Sequence, residues 1–183
     1  TMRVNGRAVD ISGIHANENL LGVLRKNGLT GTKCGCAEGD CGACSVVVLD
    51  DEGKPRSINS CLALVPSLEG REIYTAEGFA KDGKPHPVQE AMISCYGSQC
   101  GYCTPGFISS MVEGYHREGK LDRADIADQL CGNLCRCTGY RAIRDAMEMA
   151  QDAKVSADFE AVRIEATVEK FATSMPVSEG EYY

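Results

Sequence analysis

Cysteine placement constrains this chain more than any other feature. Eight of its eleven cysteines fall into two sets of four with different spacings: Cys36, Cys41, Cys44 and Cys61, then Cys100, Cys103, Cys135 and Cys137. An odd total cannot pair fully as disulfides. The first residues lack the basic-then-apolar run of an export signal, so a cytoplasmic setting is expected, where thiols stay reduced. One or two buried free thiols are ordinary core residues, but eleven are not. Metal is the better reason for so many.

The rest of the composition excludes several classes. A net charge of -7, with Lys and Arg scattered singly and in pairs, argues against nucleic acid. The least charged stretch, 91–115, is broken by Gly, Ser, Gln and Pro, so no membrane span is expected. No dinucleotide fingerprint, phosphate-binding loop or nucleophile–base pattern stands out, and His15, His86 and His116 are lone histidines. Of these, His86 before Pro87 reads as a helix-start residue. No catalytic residue is assigned.

Periodicity divides the chain near residue 80. Asn5-Gly6 between Met2-Arg-Val4 and Ala8-Val9 predicts a tight hairpin. A helix follows over about 17–27, with Leu20, Leu21, Val23 and Leu24 on its apolar side and Gly28 to stop it. Ser45–Leu49 reads as a strand with a partner at Arg56–Ile58, and Ile73-Tyr74 adds another. Beyond the polar segment 81–85 the pattern turns helical. Val88, Ala91, Met92, Cys95 and Tyr96 form one stripe, and Phe107, Ile108, Met111, Val112 and Tyr115 a second. Ile126 and Leu130, with Asp122 as cap, mark a third helix, and Ile143, Met147 and Ala150 a fourth. The expected class is α+β: a small sheet domain over 1–79, a four-helix domain over 80–154, and an extension over 155–183 that serves as a linker or partner-binding tail. In that extension Val162, Ile164, Ala166 and Val168 alternate like a strand, while Val155, Phe159, Val162 and Ala166 fit a helix.

Cys36, Cys41 and Cys44 give C-x4-C-x2-C, with Cys61 beyond a strand pair, which is the spacing of plant-type [2Fe-2S] ferredoxins. Gly35, Gly39 and Gly42 let the backbone wrap closely, so that N–H groups can reach the sulfurs. Zinc, the rival, favours paired C-x2-C knuckles. Cys34 is an alternative to Cys36, but the x4 spacing favours Cys36. The second set reads C-x2-C, 31 residues, C-x-C. Thr104-Pro105 is expected to cap and start a helix, with Thr138 in the same relation to Cys137, which puts both pairs at helix N-termini, where partial positive charge suits thiolates. On spacing alone this set also admits zinc or a redox-active Cys-Gly-Tyr-Cys pair.

Together these motifs resemble the iron–sulfur region of the molybdenum hydroxylases, the xanthine dehydrogenase/aldehyde oxidase family. The matching residues are Gly31-Thr-Lys33, Gly35-Cys36, Glu38–Cys44, Ser60-Cys-Leu62, His86-Pro-Val-Gln89, Gln99–Gly106 and Gly132–Tyr140, over roughly residues 1–150. Glu38-Gly-Asp40 and Lys84–Gln89 look most like the xanthine dehydrogenase branch. The resemblance implies a β-grasp ferredoxin-like domain and then an all-α four-helix domain, each holding one [2Fe-2S] cluster. It also implies electron transfer from a molybdopterin centre through both clusters to FAD. Molybdopterin and FAD would lie on a molybdenum-bearing large subunit and a FAD-binding subunit, or on further domains. Gln99 and Cys137 are then expected against the pterin. Cys34, Cys95 and Cys131 are extra to the eight ligands. Aldehyde-, carbon monoxide- or N-heterocycle-oxidising relatives, and a stand-alone two-cluster carrier, are the alternatives.

Overall fold

The computed structural model describes residues 1–156. The readings made for Val162–Val168, and most of the 155–183 extension, lie outside the described residues. β1 (Met2–Val4) and β2 (Arg7–Val9) pair antiparallel around Asn5-Gly6, whose φ values of 51° and 77° are those a tight primed turn requires. α1 (Leu20–Lys26) starts at Leu20 rather than at 17, because the Asn19 side chain accepts the Gly22 N–H at 2.9 Å and caps the helix. β3 (Ser45–Leu49), β4 (Pro55–Asn59) and β5 (Glu72–Tyr74) complete one sheet in the order β2-β1-β5-β3-β4. The β1–β5 pair is parallel and the other neighbours are antiparallel.

The β3 sequence explains how the sheet is used. Val46, Val47 and Val48 form an unbroken apolar run, and all three are buried. A strand covered on both faces reads this way, whereas a strand with one wet face alternates. Val46 and Val48 join Leu20, Val23 and Leu24 of α1, with Met2, Val4, Val65, Leu68 and Ile73. Val47 points the other way, with Tyr74 and Phe79, into the cluster formed by the helices.

Those helices are α2 (Pro87–Ser94), α3 (Thr104–His116), α4 (Arg123–Leu130) and α5 (Arg141–Ser156). α2 packs on α5, and α3 lies across β3 and β4 while also touching α2, α4 and α5. Phe107, Met111 and Val112 of α3 are fully buried beside Ile126, Ile143 and Met147. The sheet half thus keeps a core of its own with α1 on one face, and on its other face Val47, Tyr74 and Phe79 join the core of the helices. No helix among the described residues is long and apolar enough to cross a membrane.

Caps follow the sequence with two corrections. Asp122 accepts the N–H groups of Ala124 and Asp125 while Asp125 returns a bond to the Asp122 N–H, a reciprocal box. Thr104 does not cap α3: it is the first helical residue, Cys103 holds the cap position without a side-chain bond, and the Thr104 hydroxyl goes to Ser98 at 2.9 Å. Thr138 likewise serves a turn, accepting the Tyr140 N–H at 3.1 Å, and α5 starts only at Arg141. A threonine hydroxyl this close to other polar groups bonds locally rather than to its own helix.

His86 caps α2. Its Nδ1 accepts the Val88 N–H, so that nitrogen carries no proton, and the Nε2 proton faces His116 Nε2 at 3.2 Å. Burial, then the neighbouring His116, pushes the His86 pKa down to about 3. A histidine held neutral below its unfolded value of about 6.5 stabilises the fold fully above that pH. The contribution falls as pH drops from about 6.5 towards 3, by up to about 1.4 kcal/mol per pH unit. His86→Asn keeps a capping acceptor and removes the titration. Urea denaturation at pH 7, 6, 5 and 4 is expected to show a shallower loss of stability towards low pH in this variant than in the parent chain.

Candidate metal centres

The first cysteine set is built on the loop between α1 and β3. Cys36 N–H donates to Cys41 Sγ at 3.3 Å, and Cys41 N–H returns a bond to Cys36 Sγ at 3.4 Å. Glu38 N–H also points at Cys36 Sγ, at 3.5 Å. The N–H groups of Glu38 and Cys41 hold the Cys36 thiol down to about 7, in the range of reactive and metal-binding thiolates. Cys44, at the end of the loop, and Cys61, just past β4, are buried together with Leu21. Burial, followed by the hydrogen bond with the Cys44 thiol, pushes Cys61 up to about 12. A bound cation reverses such a penalty by holding the thiolate outright.

Close packing sets this loop. Gly35 has no room for a side chain, since a Cβ there would lie 2.6 Å from Cys41 Sγ. Asn59, closing β4, donates to Gly39 O at 2.7 Å and accepts from the Ser45 hydroxyl at 3.3 Å. Ser60 binds Cys44 O at 2.7 Å.

The second set is drawn from two loops, one before α3 and one between α4 and α5. The Cys137 thiol bonds that of Cys100, which raises its pKa, and both residues are exposed. Cys103 lies deeper, and burial followed by the Cys135 thiol pushes it up to about 12. For Cys135, burial pushes up, but the Thr138 hydroxyl at 3.1 Å and N–H at 3.5 Å carry the balance downward. All four thiols of this set thus act on one another, as an outer pair and an inner pair. Gln99 is exposed beside the outer pair.

Among the described residues no three Cys, His, Asp or Glu side chains gather into a single-ion site. The thiols close two by two instead: Cys36 with Cys41, Cys44 with Cys61, Cys100 with Cys137, and Cys103 with Cys135. A [2Fe-2S] cluster takes four thiolates, two on each iron, so paired soft donors at the end of N–H-lined loops fit it.

The two loops meet back to back. Leu134 N–H donates to Cys41 O at 2.9 Å, and Asn133 Nδ2 donates to Gly42 O at 3.0 Å. The Tyr102 hydroxyl, between Cys100 and Cys103, bonds Cys34 O. Gly106 at the start of α3 sits so close that a Cβ would come 2.1 Å from Gly42 O. Sequence reasoning gave Asn133, Tyr102 and Asn59 no role. The only local sign was a polar residue in an otherwise apolar or thiol-bearing position. Of the remaining thiols, Cys34 and Cys131 are exposed, and Cys95 lies 4.0 Å from Met149 Sδ.

Comparison with known proteins follows this division. Residues 2–66 match the family model described as a 2Fe-2S iron-sulfur cluster binding domain, and residues 75–148 match a [2Fe-2S] binding domain. Xanthine dehydrogenase of Blastobotrys adeninivorans is 42% identical over 153 residues, covering 80% of this chain and 11% of the relative. Aldehyde oxidase 1 of Rattus norvegicus is 45% identical over 152 residues, covering 78% of this chain and 11% of the relative. The chain therefore spans about a tenth of the length of these relatives. The crystal structure of quinoline 2-oxidoreductase from Pseudomonas putida 86 superposes with a TM-score of 0.72 at 32% identity, over 85% of this chain and 94% of that one. With paired thiols in two loops, two cluster-binding domains in this order and likeness across nearly all of a solved chain, the protein belongs to the molybdenum hydroxylases of the xanthine dehydrogenase/aldehyde oxidase family, as their portion carrying two [2Fe-2S] sites.

Proposed function

We propose that this chain passes single electrons from a molybdopterin centre to FAD, both held on partner chains or further domains, through two [2Fe-2S] clusters. Cys36, Cys41, Cys44 and Cys61 would hold the first cluster, and Cys100, Cys103, Cys135 and Cys137 the second. Each cluster, when bound, supplies a one-electron couple that needs no proton transfer. The observation that carries the reading is the pairing of eight thiols into two sets of four, whose neighbouring loops are joined by the Leu134–Cys41 hydrogen bond of 2.9 Å.

This chain's own residues then have three tasks. The N–H groups of Glu38 and Cys41, and those around Thr138, stabilise anionic sulfur. Buried Cys44 and Cys61 keep water from one side of the first site. Exposed Gln99, Cys100 and Cys137 present the second site to a neighbour, which suits a place against the pterin. Electrons would enter at this outer edge, beside Gln99 and Cys137, and leave from the glycine-rich loop of the first site. The division 1–79 and 80–154 would then separate the two cluster-bearing parts, with 155–183 left for linkage or partner binding. A cytoplasmic setting, where thiols remain reduced, suits the eleven free cysteines.

Within the family, the Glu38-Gly-Asp40 loop and the Lys84–Gln89 segment favour a xanthine dehydrogenase-like enzyme with a molybdenum-bearing large subunit or domain and a FAD-binding one. Aldehyde- and N-heterocycle-oxidising relatives are the alternative that the rat aldehyde oxidase and the quinoline enzyme keep in view.

The purified chain is expected to be red-brown with a reducible visible spectrum, whereas a colourless, zinc-loaded protein would overturn the proposal. Cys103→Ser is expected to abolish the second cluster's EPR signal while the first persists, and Cys34→Ser to retain both. Gly35→Ala should displace the Cys41 sulfur and lower iron occupancy at the first site by at least half, read by iron analysis and EPR spin counting. Unchanged iron in that variant would mean that the loop yields to a methyl group. Affinity purification from the native source is expected to bring down a molybdenum-containing polypeptide, unless the molybdenum centre proves to be on the same chain.

A further inference from the structure

We propose that Asn133 is a positioning residue for electron transfer between the two sites, acting by fixing the distance between their loops. The inference rests on the two-cluster reading above and assigns a task to a side chain that holds no metal.

Asn133 follows the end of α4 and lies two residues before Cys135. It is 3% exposed, which makes it one of the few buried polar side chains in the molecule. Its Nδ2 donates to Gly42 O at 3.0 Å and reaches Ser45 Oγ at 3.5 Å. Gly42 and Ser45 bracket Cys44 in the first loop. Its own backbone N–H is tied to Leu130 O at 3.1 Å, so the side chain is anchored from behind by α4. The fit is close: a Cβ on Gly42 would come 2.5 Å from Asn133 Nδ2 and 2.3 Å from Gly132 O.

The next residue forms the connection itself. Leu134 N–H donates to Cys41 O at 2.9 Å. From Cys135 to Cys41 the route is therefore one peptide bond, one hydrogen bond and one residue's backbone, with no jump through space. With clusters held by the two cysteine sets, transfer would take one electron from the second, oxidising it by one, and deliver it to the first, reducing it by one. No bond forms or breaks and no proton moves. Leu134 is itself half exposed, and its hydrogen bond lies in a loop. The buried amide beside it holds that bond in register. A buried polar group whose donor is met on the opposite loop specifies one arrangement of the two loops, where an apolar residue of the same size would allow several.

The test compares the intact, cluster-loaded chain with Asn133→Leu, which has similar volume and no donor, and with Asn133→Ala. Iron and sulfide per chain, the magnetic splitting between the two reduced centres in low-temperature EPR, and the rate at which an electron delivered by pulse radiolysis redistributes between them are measured. Both variants are expected to keep their iron while the splitting changes and redistribution slows severalfold. Splitting and rate equal to the parent chain, with full iron, would overturn the proposal. Loss of the second cluster's iron from both variants would also overturn it, because Asn133 would then belong to the site rather than to the link. A parent chain that binds no iron removes the two-cluster reading itself, an outcome distinct from either of these.

Discussion

The packing of α3 against the Val47 side of the sheet is the contact on which the rest of the molecule depends. Val47, Tyr74 and Phe79 leave the sheet half and enter the helical core beside Phe107 and Met111. That burial sets where α3 begins, and α3 begins at Thr104, directly after Cys103. The same contact brings Gly106 against Gly42 O, closer than any side chain would allow. Two loops far apart in sequence are therefore pressed together by an apolar surface, and the polar seam of Asn133, Leu134 and Tyr102 is laid over it. Hydrophobic burial supplies the driving force, and the hydrogen bonds select the register.

Electrostatics within the sites follow from depth. In the first set, N–H groups aimed at Cys36 favour thiolate at the accessible side, while burial makes an unpaired charge costly on Cys61. The second set differs: burial raises the deep Cys103 and the Cys100 thiol raises the exposed Cys137, while Thr138 holds the half-buried Cys135 down against its burial. Buried thiols that resist ionisation alone become good ligands once a cation compensates them, so the deep members of each set are suited to holding metal and poorly suited to free thiol chemistry.

Much of this was legible in the chain. The C-x4-C-x2-C triple with its glycines, the Asn5-Gly6 turn, the Asp122 cap and three of the helical stripes are local patterns that survive folding, whereas the first stripe ends at Met92, because α2 stops at Ser94 and Tyr96, at a φ of 54°, turns out to solvent. The reading failed where partners are distant. The hydroxyls of Thr104 and Thr138 look like caps in one dimension, but in the fold Ser98, Cys135 and Tyr140 claim them. Val47 reads as one more strand residue, and nothing near it in sequence says that it faces a helix more than fifty positions away. Asn133 lies inside a motif noted for its cysteines, and its value comes wholly from Gly42 and Ser45, about ninety residues earlier.

The face shared by the two halves also bears on what cutting the chain would expose. A sheet half cut away near residue 80 would leave Val47 and Tyr74 facing water, and a helical half alone would lose the floor beneath Phe107. Each half matches its own family model, yet the face on which they meet leaves apolar residues of both without cover when they are parted. The alignments with the relatives described above are long enough to take in that face from both sides.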